Sequence, residues 1–136
     1  MTPASLGFAA FLLIAVPAVE IGGLSLLYMI GKRDPGYLDN PVRRHLFRAG
    51  HAHAGVWIIF ALVAMLYVDQ ADLPGQLKMI VRICFGAAPI LMPLGFFLSI
   101  VPPGAERPNR VITLVYLGGL LLAFGAVTLG IGLLPI

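Results

Sequence analysis

The chain has 136 residues, of which 60% are hydrophobic and only 11% are charged, and its mean hydropathy is +0.97. Because soluble domains usually carry about 25% charged residues, this composition excludes an ordinary water-soluble globular fold. The net charge of +3 comes from a few basic clusters, a pattern typical of membrane topology rather than of nucleic-acid binding. A single cysteine, Cys84, excludes an intrachain disulfide and a four-cysteine zinc site.

Four apolar stretches follow one another, each close to the roughly 20 residues that a membrane-spanning helix needs. We predict spans at residues 6–30, 49–68, 77–101 and 111–134. The fold class is therefore an all-α, integral membrane four-helix bundle, formed by one transmembrane domain over residues 1–136. The breaks carry the turn-forming sequences "GKRDPGYLDNP", "DQADLPGQ" and "PPGAERPN". The last span is rich in glycine, and we expect it to be a packing surface within the bundle or between copies.

The second helix is expected to begin before its apolar stretch does. Asp39 or Asn40 can serve as its N-cap, with Pro41 at the first helical position. The first span lacks a basic n-region and a small-residue cleavage site, so we expect it to be retained as a membrane helix rather than removed as a signal peptide.

The basic residues are distributed unequally over the loops. Seven of them lie in or beside the first and third loops: Lys32, Arg33, Arg43, Arg44, Arg48, Arg107 and Arg110. Only Lys78 and Arg82 flank the second loop. Because basic loops stay on the cytoplasmic side, we predict a multi-pass protein of the bacterial plasma membrane with both termini outside the cytoplasm.

Ionisable residues inside an apolar span are costly, and they are therefore candidates for function. The candidates are Glu20, His51, His53, Arg48 and Arg82. With a rise of about 1.5 Å per residue, Glu20, the two histidines and Met92 are expected in one layer of the cytoplasmic half.

His51 and His53 are two residues apart, so on a regular helix they point to nearly opposite sides. They cannot both bind one metal ion from such a helix. His51 shares its face with Arg44 and Arg48, so we expect it beside an anionic group. His53 shares its face with small residues and Trp57, so we expect it against a closely packed helix. Glu20 is expected to point into the bundle beside the second span, because a lipid-facing carboxyl is costly.

Each candidate residue has two interpretations. For the histidines, metal or haem ligation and proton transfer compete with plain hydrogen bonding between helices. Glu20 is either functional or structural. As a functional residue it would be a metal ligand, a proton carrier or the partner of a basic residue. As a structural residue it would be a protonated carboxyl hydrogen-bonded to a carbonyl left free by Pro17. Arg48 and its basic neighbours bind lipid phosphates or an anion such as a haem propionate, and Met92 is packing or an axial ligand.

The predicted site follows from these interpretations. The cofactor-binding candidates are His51, His53, Glu20, Arg48 and Met92, and the metal-ligand candidates are His51, His53 and Glu20. No catalytic residue is predicted.

Four stretches, "FRAGHAHAG", "DPGYLDNP", "LMPLGFFLS" and "ERPN", together resemble an uncharacterised family of small four-helix bacterial membrane proteins. This resemblance implies the same fold and brings no established activity. The H-x-H of His51 and His53 alone resembles a helix of haem-copper oxidase-type proteins, in which the two histidines serve different haem centres. That local resemblance implies haem. No other span offers a histidine, so a haem would need Met92, a second subunit or a five-coordinate iron.

Three functions remain open at this point. The sequence favours a small membrane accessory protein whose His/Glu site binds haem or a transition metal and serves a respiratory or redox system. The alternatives are a non-enzymatic structural or assembly subunit, and a small proton or solute conductor. The expected partners are the lipid bilayer and another membrane protein or a second copy of this chain, with no nucleic acid. No nucleophile–base pair, phosphate loop or zinc-peptidase pattern indicates an enzyme.

Overall fold

The computed structural model describes residues 1–134. The fold is all-α, 81% helical, and has no strand in those residues. The helices are α1 Pro3–Gly31, α2 Pro35–Leu38, α3 Pro41–Val68, α4 Gly75–Leu98 and α5 Thr113–Gly132, with a 3-10 turn at Arg110–Ile112 before α5. The helices α1, α3, α4 and α5 (the last with its 3-10 turn) are long and apolar enough to cross a membrane. The prediction of four apolar helices is thus confirmed.

Side-chain caps set where the helices begin. Asn40 caps α3 by accepting a hydrogen bond of 2.9 Å from the Arg43 N–H, with Pro41 at the first helical position as predicted. Asp34 caps the short helix α2 by accepting from the Gly36 N–H. The sequence did not predict α2, because four residues are too few to show a helical period.

The third and fourth predicted spans are shifted at the boundaries that flank the third loop. The third was expected to reach residue 101, but α4 ends at Leu98. The chain turns at Ser99, whose carbonyl accepts a hydrogen bond of 2.8 Å from the Asn109 N–H. The Asn109 side chain then accepts from the Val111 N–H and starts the 3-10 turn that leads into α5.

The helix α4 is the centre of the bundle. In its most apolar stretch 56% of the residues are buried, against 33% for α3, 17% for α5 and 11% for α1. One side of α4 packs on α3 and the other on α5, whereas α1 packs mainly along α3 and approaches α4 at few points. The bundle is therefore open between α1 and α4.

Glycines bring α5 close to α4. A Cβ atom at Gly118 would lie 2.5 Å from Cγ of Met92, and one at Gly125 would lie 3.0 Å from Cβ of Cys84. Gly95 does the same from the α4 side, where a Cβ would lie 2.8 Å from the backbone N of Val115. The predicted packing role of the glycine-rich helix is thus fulfilled within the chain.

The first and third loops meet at one end of the bundle. The side-chain amide of Asn40 donates hydrogen bonds of 2.9 Å to the carbonyls of Pro103 and Ala105. Arg43 and Arg44 each donate to a backbone carbonyl of the first loop, at Gly36 and Leu38. This end carries the seven basic residues that the topology prediction rests on.

Candidate functional site

A cleft of about 250 Å³ lies between α1 and α4, with α3 as its floor. Its walls run from Phe11 on α1 to Phe97 on α4, and they include Pro89 and Pro93 of α4. Within residues 1–134, His51 on α3 is the only residue lining the cleft that has a polar side chain. The cleft exists because α1 leans on α3 and leaves its other flank uncovered.

His51 is held by two glycines of α1. A Cβ atom at Gly23 would lie 2.9 Å from Cε1 of the imidazole, and one at Gly22 would lie 3.7 Å from Nδ1. The glycine pair therefore makes the room in which the ring lies. Nδ1 of His51 is buried and has no hydrogen-bond partner. The sequence signal for this contact was the Gly22–Gly23 pair, which sequence reasoning did not connect to the histidine.

His53 lies in different surroundings, against α4. Its Nδ1 lies 2.7 Å from the carbonyl oxygen of Ala49. A carbonyl only accepts, so Nδ1 carries a proton, and in the neutral ring Nε2 is the atom with the free lone pair. The ring centroid is 4.9 Å from that of Phe96 and 6.1 Å from that of Trp57. The expectation that the two histidines meet different helices, with His53 against a closely packed one, agrees with this geometry.

Glu20 does not point into the bundle, and that prediction is wrong. The face of α1 that packs on α3 carries Val19 and Gly23. A Cβ atom added at Gly55 of α3 would lie 3.9 Å from Cγ1 of Val19. Glu20 is turned by about 100° from Val19 and is exposed. The most apolar stretch of α1 has a mean hydropathy of 2.1, so hydropathy alone does not indicate which face of the helix packs.

Arg48 is also exposed and makes no ion pair with Glu20. Within residues 1–134 the only salt bridge joins Arg82 and Asp69. The predicted pairing of Glu20 with Arg48 or a histidine is therefore not formed in a single chain. An anionic partner for His51 is likewise not supplied by Glu20.

Met92 lies on the wrong side of α4 to share a ligand with His51. It is buried against Gly118 of α5, whereas the cleft is lined by its neighbours Ile90 and Pro93. A haem bound between His51 and Met92 of one chain does not fit this arrangement. Residues 1–134 also hold no group of three His, Cys, Asp or Glu side chains that could bind a metal ion.

His51, His53 and Glu20 thus do not form one metal site within a chain. Their roles as separate ligands stay predictions.

A second polar cluster, which we call the terminal network, lies at the opposite end of the bundle. It consists of Thr2, Ser5, Asp69 and Arg82. The guanidinium of Arg82 donates a hydrogen bond of 2.6 Å to the Asp69 carboxylate and one of 2.9 Å to the hydroxyl of Ser5. The Ser5 hydroxyl in turn donates a hydrogen bond of 2.9 Å to Asp69. Arg82 and Ser5 are buried, at 5% and 0% exposure. Sequence reasoning identified Arg82 but missed Asp69, because Asp69 follows the predicted span.

The carboxylate of Asp69 has a shifted pKa. Burial alone would raise that pKa, but hydrogen bonds from the Thr2 N–H, the hydroxyls of Thr2 and Ser5 and the Arg82 guanidinium lower it well below its usual range. Asp69 therefore stays ionised at physiological pH. The network ties the start of α1 to the turn between α3 and α4.

Comparisons with protein-family models, curated proteins and solved structures found no match to this chain. The resemblance to a small four-helix family remains a prediction.

Proposed function

We propose that this chain is a multi-pass membrane protein that binds a lipophilic small molecule in the cleft between α1 and α4. The observation that carries the proposal is an apolar cleft of about 250 Å³ whose only polar side chain, His51, has a buried nitrogen without a partner. Small-molecule sites are concave and mostly apolar, with few polar groups that fix orientation. This cleft has that composition.

The outer surface of the bundle supports insertion into lipid. Large apolar side chains are exposed on the outer helices, among them Ile14 at 78% and Leu120 at 70%. A water-facing patch of this extent is not found on soluble monomers. In a bilayer, the gap between α1 and α4 opens sideways to the acyl chains. A lipophile can therefore enter without crossing water.

The proposed orientation places the basic end in the cytoplasm of a bacterial cell. Cysteines introduced at Asp39 and at Gln76, both exposed, report the two ends on a Cys84→Ala background. In intact cells an impermeant thiol reagent should label position 76 and leave position 39 unlabelled, since basic loops are retained inside. Permeabilised cells provide the control, in which both positions label. Labelling of position 39 alone in intact cells would contradict the orientation.

The unpaired Nδ1 of His51 favours ligand binding in the cleft. An unsatisfied buried polar group costs about 1–3 kcal/mol. A ligand that hydrogen-bonds Nδ1, once the ring turns this atom toward the cleft, removes that cost and at the same time fills apolar space. The volume accommodates a head and the first part of a chain, with the remainder lying among lipids.

A bulky side chain placed at the exposed rim of the cleft tests the binding site. Ala18 on α1 lines the cleft and is exposed, so Ala18→Phe adds bulk there without disturbing the core. Protein extracted in mild detergent should carry a small lipophilic molecule visible by native mass spectrometry. Its occupancy should fall about tenfold in Ala18→Phe, a loss of about 1.4 kcal/mol.

The matched control is Ala10→Phe, which adds the same bulk at an exposed position of α1 outside the cleft. It should keep the occupancy of the unmutated chain. Equal occupancy in both variants, or no retained molecule in the unmutated chain, would contradict the proposed site.

Haem or transition-metal binding, in the service of a respiratory or redox system, is the second candidate function. The hydrogen bond to the Ala49 carbonyl favours it, because that bond leaves Nε2 of His53 as an available ligand atom. Any further ligand would come from a second subunit or from outside the chain. An absorption spectrum and elemental analysis test it, with His53→Ala expected to remove the cofactor and the exposed His45→Ala expected to retain it. An assembly subunit and a proton conductor remain predictions.

A further inference from the structure

We infer that the ligand of the α1–α4 cleft is an uncharged lipophile whose head is a single hydroxyl or carbonyl group hydrogen-bonded to His51. This inference rests on the proposed binding site and names the class of molecule it takes. Four observations carry it: the composition of the lining, the unpaired nitrogen of the imidazole, the exposure of Arg48 and Glu20 outside the lining, and the direction in which the cleft opens.

The lining contains no charged side chain. Of the residues that form the cleft, His51 alone is polar, and the others are aliphatic, aromatic, glycine or proline. An ionised head would leave water without a counter-charge, a step that costs far more than a hydrogen bond returns. Carboxylates, phosphates and ammonium groups are therefore disfavoured as heads in this cleft.

The charged residues closest in sequence to the cleft lining do not line it. Arg48 lies one helical turn before His51, is exposed and is not a lining residue. Glu20 is exposed on the flank of α1 that faces away from Gly22 and the cleft. An anionic head at His51 would thus find no Arg or Lys side chain among the residues that line the cleft.

The imidazole suits a small neutral head. A neutral histidine has one N–H donor and one lone pair, so it can donate to a carbonyl or accept from a hydroxyl. His53 is hydrogen-bonded through Nδ1 to the Ala49 carbonyl. Within residues 1–134, Nδ1 of His51 has no such partner. The ring lies against Gly22 and Gly23, and a ligand reaches it from the cleft that it lines.

The direction of the opening places the rest of the molecule. His51 lies toward the basic end of the cleft, whereas Phe11 and Leu12 lie toward the other end. A head at His51 therefore leaves the apolar body between α1 and α4, directed away from the basic end. Two prolines, Pro89 and Pro93, and Phe97 form the α4 wall along which this body packs.

The test uses a fluorescent reporter on the cleft wall. Trp57 is the only tryptophan of the chain, so Trp57→Phe combined with Ile90→Trp leaves a single indole beside the cleft. Ile90 is 37% exposed, so the larger ring has room. The protein is placed in lipid nanodiscs, and two probes of equal chain length are titrated: a chain-brominated long-chain alcohol and the matching brominated alkyl sulfonate, which is always anionic. Bromine quenches the indole on contact.

The alcohol should quench the reporter saturably, with a Kd about tenfold lower than that of the sulfonate. His51→Leu should raise the Kd of the alcohol about tenfold, the worth of one hydrogen bond, and should leave that of the sulfonate unchanged. His51→Gln keeps a donor and an acceptor and should retain most of the affinity. The comparison of the two probes on the unmutated protein tests the inference even if the leucine variant does not fold.

Equal affinity for the two probes, or an alcohol affinity that His51→Leu leaves unchanged, would overturn the inference while leaving a lipophile site in place. If neither probe quenches the reporter saturably, the site itself is refuted and the inference falls with it.

Discussion

Asp69→Ala should lower the free energy of unfolding by about 3 kcal/mol, because it leaves the buried guanidinium of Arg82 without its counter-ion. Arg82 is 5% exposed and makes its shortest contact, 2.6 Å, with Asp69. The loss should be seen as a lower midpoint in SDS-induced unfolding from mixed micelles. Asp72→Ala is the matched control, since Asp72 is an exposed acid of the same turn, and it should leave the midpoint within about 0.5 kcal/mol of the unmutated chain.

The double variant Asp69→Ala/Arg82→Met separates the pair from the loss of one partner. It removes both charges, so it should be more stable than Asp69→Ala. If the two residues are independent, the double variant will lose, relative to Asp69→Ala, the full free energy of unfolding that Arg82→Met costs alone. That result would contradict the terminal network.

The terminal network also sets a pH dependence. The folded-state pKa of Asp69 lies below the unfolded value of about 3.9, so its contribution is fully present above that value. The contribution is lost as the pH falls from about 4 through the lowered pKa. The stability difference between the unmutated chain and Asp69→Ala should therefore be constant from about pH 5 to pH 8 and should shrink only in stronger acid.

Gly95→Ala should destabilise the chain by about 3 kcal/mol, at the upper end of the usual range for overpacking. The added Cβ would lie 2.7 Å from Cγ2 of Val115 and 2.8 Å from its backbone N. A side chain can rotate away from such a contact, but a backbone atom cannot, so α5 would have to move off α4. The same unfolding assay measures the effect.

Gly119→Ala is the control for the α4–α5 contact, because a Cβ there meets nothing within 4 Å. It should be neutral or slightly stabilising, since alanine is the better helix former. If Gly95→Ala and Gly119→Ala behave alike, α4 and α5 do not pack as closely as the structure places them.

Much of the fold could be predicted from the sequence. Long apolar runs separated by proline and glycine turns leave no alternative to helices, and the cap at Asn40 with Pro41 follows from local chemistry alone. The end of α4 was missed by three residues because the apolar run continues to Val101, while the hydrogen bond from Asn109 to Ser99 turns the chain earlier.

The candidate site could be predicted only in part. The separation of His51 and His53 follows from their spacing on one helix, which is a local property. The positions of Glu20 and Met92 depend on which face of a helix meets its neighbour. On a helix as apolar as α1, hydropathy alone does not carry that information. The terminal network joins residues up to 80 positions apart, from Thr2 to Arg82, and no local pattern signals such a contact.

The central claim is that the cleft between α1 and α4 binds a lipophile through His51, and mapped photolabelling in the membrane tests it most directly. A long-chain alcohol with a diazirine in its chain is added to membranes that contain the unmutated protein, and the labelled residues are located by peptide mass spectrometry. Labels should concentrate on residues that line the cleft, such as Ala15, Ala18 and Ile90, and excess unlabelled alcohol should remove them. Labels spread evenly over the exposed faces of α1 and α5, with no competition by the alcohol, would contradict the claim.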